Sequence, residues 1–397
     1  MTDNAQVSTL PPTTNYKVAP DSVVAKVILA FLTTAGIFYI NIMPAVISGL
    51  KEGLHFTNQQ AGFVSSANLY GAAAGALAAV FLVKKIDWRL WSYRLLFMLI
   101  AIDSVCIAIE TPEVMIAVRA LHGVVGGLLV GIGFSVISRT AEADKTFGYL
   151  LLIQWSLGGL GLMYLPALVP EYGTAALFIS LLCFTVVTLL MLPFLPDYSV
   201  KEADKTQSAD LQTSKVERLP LALTLFGIFL FQAANMGLFA YMIALGRAEG
   251  LTLDFMSPSL AVASWIALVG AVLVIVIGTK FGRTVPLAAA ILLTAFCSWV
   301  LHFSASESVY LYANIVIGIC WAFVLPYLFG ICAALDKAGQ LAALGGFASK
   351  MGLATGPMVA AFMLGEDNYG QLVNIAAIGL IACAVVVIKP ARLLDRG

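Results

Sequence analysis

Three ionisable side chains stand deep in apolar sequence, where each needs a reason. They are Asp103 in LFMLIAIDSVCIAI, Arg119 in VRALHGVVGGLLVGIGF and Lys350 in ASKMGLATGP. An arginine at the middle of a membrane span costs roughly 2.5–3.5 kcal/mol on insertion scales, so Arg119 requires a partner or water. Asp103 is placed to be that partner. At ~1.5 Å rise per residue, Asp103 and Arg119 both fall roughly 9 Å below the short turn ETPE that joins their predicted spans. Two chemistries suit such a pair: an ion pair that holds a hairpin, or a carboxyl that takes up and releases a proton and so frees Arg119 to meet a solute. His122 follows Arg119 by three on the same helical face and either joins the pair or packs. Lys350 lies roughly 14 Å into its span, near the midplane, and that span carries no acid. The deep charges therefore sum to one positive, and the simplest resident for that surplus is an anion in transit. The alternatives are an uncharged lysine or one that snorkels.

Composition dictates what must position these groups. The chain has 397 residues, 60% hydrophobic and 11% charged, with a mean hydropathy of +0.95. Soluble domains are roughly 45–50% apolar and 25% charged, so this is an integral membrane protein in contact with the lipid bilayer. Lys+Arg and Asp+Glu are 22 each; with no basic arm or zinc spacing, no nucleic-acid partner is expected. Cys106, Cys183, Cys297, Cys320, Cys332 and Cys383 all fall in apolar runs and read as packing thiols. The first 22 residues are polar and carry three prolines without an apolar h-region. They read as a disordered cytosolic tail.

At about 20 apolar residues per crossing, the sequence predicts twelve spans, at 24–49, 59–83, 90–109, 113–138, 146–168, 174–196, 219–246, 257–279, 284–303, 309–333, 341–364 and 369–388. With both termini cytoplasmic, eighteen basic residues fall inside and two outside, Lys51 and Arg247; Arg119 and Lys350 are within spans. That bias sets the orientation. The polar segment 197–218, DYSVKEADKTQSADLQTSKVER, has linker composition and separates a six-helix bundle at 23–196 from another at 219–388, with a cytosolic tail at 389–397. The halves repeat: Gly75 and Gly270, and Gly123 and Gly318, share an offset of 195, and Asp144-Lys145 recurs as Asp336-Lys337 at 192. The runs GAAAG at 71–75, GVVGG at 123–127 and GLATGP at 352–357 are small faces for close helix approach. Pro44, Pro166, Pro326 and Pro357 are expected to kink or open their spans.

Over essentially its whole length the sequence resembles the major facilitator superfamily. LVKKIDWR at 82–89 stands where that family has its basic loop between spans two and three, with Lys84 at the usual acidic position and Asp87 at the glycine. GTKFGR at 278–283 is its repeat copy, with Thr279 at the acidic position, and RALHGVVGG at 119–127 is similar to the fourth-span element R-x-x-x-G-x-x-G-G. QWSLGGLGLMYLP at 154–166 lacks the Gly-Pro pair usual in the family's antiporters. The resemblance implies an all-α fold of twelve transmembrane helices in two pseudo-symmetric six-helix bundles, and a central cavity lined by spans one, four, seven and ten. It also implies a proton-coupling role for the fourth-span arginine.

On those spans the residues able to hold a solute are Asn41; Gln232, Asn235 and Phe239, which form one polar-aromatic stripe; and Asn314, Trp321 and Tyr327, joined by Gln154, Trp155 and Trp265 from spans five and eight. With Arg119 and Lys350, these give a substrate site of Asn41, Arg119, Gln154, Trp155, Gln232, Asn235, Trp321, Tyr327 and Lys350, and a proton-coupling pair of Asp103 and Arg119. The function expected is a monomeric secondary transporter in a cell membrane, an inner membrane in a bacterium, moving a small organic anion such as a carboxylate by proton symport. Proton-driven efflux of lipophilic drugs or metabolites is the alternative. A polytopic enzyme is the remote one: His55, His122 and His302 show no metal-ligand spacing, and neither a G-x-S-x-G elbow nor a nucleotide-binding P-loop is present. No cofactor and no metal are expected.

Overall fold

The computed structural model describes residues 17–83, 85–198, 218–278, 280–335, 340–365 and 367–396. Most of the linker at 197–218, the tail before residue 17, Lys84, Thr279 and the Asp336-Lys337 pair lie outside the described residues. Sixteen α-helices follow in chain order: α1 Val23–Ala35, α2 Phe38–Asn41, α3 Met43–Gly53, α4 Asn58–Leu82, α5 Trp88–Cys106, α6 Pro112–Ile137, α7 Ala143–Tyr172 and α8 Ala175–Met191 in the first half. The second half holds α9 Arg218–Ala240, α10 Met242–Ala248, α11 Leu253–Ile266, α12 Leu268–Ile277, α13 Thr284–Val300, α14 Glu307–Ala334, α15 Gln340–Leu364 and α16 Tyr369–Arg396. Among the described residues, ten helical stretches are long and apolar enough to cross a membrane. With the broken span one (α1–α3) and span three (α5), they match the twelve predicted crossings, so this is a multi-pass membrane protein.

Local chemistry explains the starts and breaks. Ser22 caps α1, and Thr57 with Gln60 forms a capping box on α4. Span one breaks twice, at Ile37 just after Gly36 and at Ile42, where Ile37 and Ile42 have non-helical backbone. Pro44 has no N–H to bond the Ile40 carbonyl, so the second break sits where proline dictates. Pro166, Pro326 and Pro357 instead lie inside continuous helices. Residues 17–22, expected to belong to a disordered tail, are held in place. Val18 N–H donates to the Phe194 carbonyl, Lys17 pairs with Asp197 at 2.5 Å, and the Tyr198 hydroxyl donates to the Pro20 carbonyl.

The glycine runs form seams. A Cβ on Gly71 or Gly75 of α4 would lie 2.1 Å from the carbonyl oxygens of Ala120 and Val124, and one on Gly123 of α6 1.9 Å from that of Asn68. In the second half a Cβ on Gly270 would lie 2.0 Å from the Ile319 carbonyl oxygen and one on Gly318 3.3 Å from that of Ala263. The partners obey the same offset of 195 as the glycines, so the repeat extends to which backbone touches which. Gly75→Ala is expected to destabilise the fold by about 1–3 kcal/mol through overpacking. Gly148→Ala, where nothing lies within 4 Å, is the neutral control, and thermal unfolding in detergent compares the two.

Charged contacts divide sharply by side. On the face opposite the termini, Arg247 pairs with Glu52 at 2.7 Å, Lys51 with Asp367 at 3.7 Å, and Asn58 donates to Asp367, all between halves. On the side of the termini, Lys26 pairs with Glu142 at 2.5 Å, Arg89 with Asp197 at 3.0 Å, and Asp395 accepts from the Arg283 and Thr284 backbone, each within one half. Hydrogen bonds from Lys145 and Lys26 hold the Glu142 carboxyl down at about 2. Among the described residues, no ion pair or hydrogen bond joins the halves on that side. The molecule is therefore closed on the face opposite its termini.

Candidate functional site

Between the halves lies a cavity of about 180 Å³. Its wall comes from α2, α7, α9, α10, α11, α14 and α15, and it contains Asn41, Gln154, Trp155, Gln232, Asn235, Phe239, Asn314 and Trp321. The helix carrying Arg119 contributes nothing to this wall. Most of the amides are already engaged. Asn41 donates to the Gln154 carbonyl at 2.7 Å and its own oxygen accepts from Gln154 Nε2 at 3.1 Å. Gln232 donates to Ser349 Oγ at 2.6 Å and accepts from the Trp321 indole at 2.7 Å. Asn235 donates back to the Phe231 carbonyl, which leaves its Oδ1 buried without a partner. That oxygen is a ready acceptor for a bound solute, since a buried polar atom left alone is costly.

The fifth-span glycines make room here. A Cβ on Gly158 would lie 2.7 Å from the Asn41 Cβ, and one on Gly159 2.3 Å from the indole nitrogen of Trp265. That indole donates to the Ser156 carbonyl at 3.1 Å and so crosses between halves. Phe239 meets Trp321 edge to face at 6.0 Å. The wall thus offers amide donors and acceptors beside flat aromatic faces, and among its residues none is charged.

Three residues expected in the site stand elsewhere. Arg119 is fully buried in the first half, with Nη1 2.7 Å from Asp103 Oδ1. Tyr327 donates its hydroxyl to the Gly278 carbonyl at 2.5 Å and packs on Phe323 in the second-half core. Lys350 is half-buried on α15, one turn nearer the termini than Leu353, which does line the cavity. Sequence reasoning missed Met236, Met242, Leu260, Ser264 and Ile317 in the wall. Apart from Ser264 these are apolar residues in apolar spans, which carry no sign that they face a cavity.

Asp103 and Arg119 form a closed cluster. His122 Nε2 approaches the same Asp103 oxygen at 3.3 Å, and Asn68 Nδ2 contacts both His122 Nδ1 at 2.9 Å and the Arg119 carbonyl at 3.1 Å. The carbonyl accepts only, so Asn68 presents its NH2, His122 Nδ1 must accept, and the proton of the neutral ring is on Nε2 facing Asp103. The Arg119 guanidinium lies over the Tyr39 ring at 4.4 Å and near Phe178 at 5.7 Å. Asp103 Oδ2 and Arg119 Nε and Nη2 have no hydrogen-bond partner. This is an ion pair in an aromatic enclosure, cut off from the cavity in the conformation seen here.

The overall architecture has close parallels. The chain is similar to the nucleoside transporter NupG, with a TM-score of 0.72 and 14% identity over 92% of this chain and 98% of that one. A variant of NupG gives 0.74 and 13% over the same shares. A D-xylose-proton symporter gives 0.67 and 16% over 91% of this chain and 97% of that one. No curated protein matches the sequence. The sequence profile of the Major Facilitator Superfamily matches residues 27–360, and the chain, a membrane transporter and not an enzyme, belongs to that superfamily.

Proposed function

We propose that the protein is a proton-coupled secondary transporter of a small uncharged solute, of the nucleoside or sugar kind, working by alternating access between its two six-helix bundles. The observation that carries this reading is the cavity wall: amides and indoles, with no charged side chain among its residues. An orphaned Asn235 oxygen asks for an O–H or N–H, and Trp155, Trp321 and Phe239 offer faces to a flat or apolar part of the cargo. The similarity to a nucleoside transporter and a xylose symporter agrees with a neutral cargo. Protons couple through Asp103, whose carboxylate must lose Arg119 as a partner when it takes up a proton.

The organic anion remains a second reading through Lys350, which shares a helical face with the wall residue Leu353. Rotation of α15 during the transport cycle would bring that charge to the cavity. Efflux of lipophilic cations has less support, since no acid lines the wall. The chain works as a monomer in a cell membrane, with its termini and the 197–218 linker cytoplasmic, so the conformation described is open toward the cytoplasm.

Proteoliposomes carrying a pH-sensitive dye, challenged with uridine, D-xylose, small carboxylates and a lipophilic cation, separate these cases. Proton entry driven by uridine or xylose alone is expected. A response to carboxylates alone, abolished by Lys350→Gln, overturns the neutral reading in favour of the anion. Gln232→Ala strands both the Trp321 indole and Ser349 and is expected to raise the KM for the active solute about tenfold, roughly 1.4 kcal/mol.

A further inference from the structure

We infer that the short helix α2 is the element that transmits the state of the buried charge pair to the cavity, with Tyr39 as its positioning residue. The inference rests on the proton-coupling reading of Asp103 given above. α2 has four residues and is flanked on both sides by non-helical backbone, at Ile37 and Ile42. It can turn without carrying the rest of span one. At ~100° per residue, Tyr39 and Asn41 point to opposite sides of this single turn. Tyr39 is buried beneath the Arg119 guanidinium, with its hydroxyl 3.4 Å from Ser65 Oγ on α4. Asn41 lies in the cavity wall and holds Gln154 through two hydrogen bonds.

The charge logic links the two sides. While Asp103 is ionised, its carboxylate at 2.7 Å fixes the position of Arg119. Once Asp103 is protonated, the guanidinium has lost its counter-charge, and two of its three nitrogens had no hydrogen bond to begin with. Its remaining attractive partners are the rings of Tyr39 and Phe178, and a desolvated cation over an aromatic face is held more strongly than an exposed one. The other titratable groups facing the pair are His122 from α6 and Cys106 from α5; α4 brings only the neutral Asn68 and Ser65, and α8 brings Phe178. Arg119 therefore draws Tyr39 after it. α2 turns, and Asn41 is displaced against Gln154. The close fit of Asn41 on Gly158 makes that displacement felt by α7.

The test needs no knowledge of the cargo. Emission of the cavity tryptophans is titrated in detergent from roughly pH 5 to pH 9, in a Trp299→Phe background that removes the tryptophan packed on the His302 ring at 6.2 Å. A pH-dependent spectral shift is expected in the parent, retained in Tyr39→Phe, which keeps the ring, and lost in Tyr39→Leu and in Asp103→Asn. Asn41→Ala tests the same transmission from the cavity side, leaves the charge cluster untouched, and is expected to lose the shift as well; it also serves if Tyr39→Leu does not fold. A shift that survives in Tyr39→Leu or Asn41→Ala but vanishes in Asp103→Asn overturns the role of α2 and leaves proton coupling standing. A parent without any shift, or a shift that survives Asp103→Asn, removes the coupling reading itself.

Discussion

Arg119→Leu is expected to destabilise the transporter by about 3–5 kcal/mol, among the largest effects of any single substitution in the chain. The Asp103 carboxylate, 1% exposed, would lose its strongest partner and keep only His122. That imidazole cannot replace the guanidinium, because protonating its Nδ1 would set it against the Asn68 NH2 that the Arg119 carbonyl holds in place. Asp103→Asn leaves the complementary defect, a buried guanidinium without a counter-charge. Asp103→Leu combined with Arg119→Leu removes both charges and is expected to recover most of the lost stability, since an apolar pair of similar volume is often neutral or better. Recovery of fold and recovery of function then part company. The double variant should unfold near the parent temperature in detergent yet move its solute without protons. Proton-driven accumulation that persists in the double variant would show the pair to be structural only.

Contact between Asp103 and Arg119 was legible before any coordinates, because both stand at the same depth on either side of a short turn and neither tolerates isolation in lipid. The repeat was legible for a related reason. Gly75 and Gly270 share an offset, and a glycine seam leaves a mark that survives when the flanking side chains do not. Rotation about a helix axis is where the sequence stops helping. Lys350 and Leu353 lie one turn apart on α15, and nothing in ASKMGLATGP says that the leucine enters the cavity wall while the lysine stops short of it. Tyr327 was placed in the site by its span, yet it turns to the Gly278 carbonyl, a partner 49 residues away. Pro44 announced one break in span one. Ile37, a β-branched residue in ordinary apolar sequence, did not announce the other, which arises where Gly36 is pressed against Gly126 of α6.

The clearest omission was on the face opposite the termini. Lys51 and Arg247 entered the sequence reading only as the two exceptions to the positive-inside count, whereas each meets an acid of the opposite half. Pairings that span hundreds of residues have no local signature. Asp367 adds to the difficulty, since it sits in a turn with φ of 85° and accepts hydrogen bonds from Asn58 and Tyr369 as well as facing Lys51.

Glu52→Arg is expected to move the conformational equilibrium toward the state open on that face. It places two guanidinium groups where a carboxylate now meets Arg247 at 2.7 Å, and every ~1.4 kcal/mol of that repulsion is tenfold in population. The intact pair is partly exposed and contributes little to stability by itself, so the effect comes from repulsion rather than from a lost attraction. Arg247→Glu added to Glu52→Arg restores opposite charges and should restore closure. The check is alkylation of a thiol introduced at Ser264, in the cavity wall, by an impermeant reagent applied from each side: faster from the face opposite the termini in the single variant, and back to the parent rate in the double. Equal rates in all three proteins would mean that these charges do not hold the face closed. Acid is a poor key for this closure. Hydrogen bonds, first from Asn58 and then from Tyr369, together with Lys51, hold the Asp367 carboxyl below the usual carboxylate range. Its contribution is therefore fully present above the ordinary carboxylate pKa and is lost only as pH falls through the depressed value. Asp367 is therefore not expected to make transport depend on pH near neutrality, and under the proposed coupling that dependence is expected to follow Asp103 and Arg119 beneath α2.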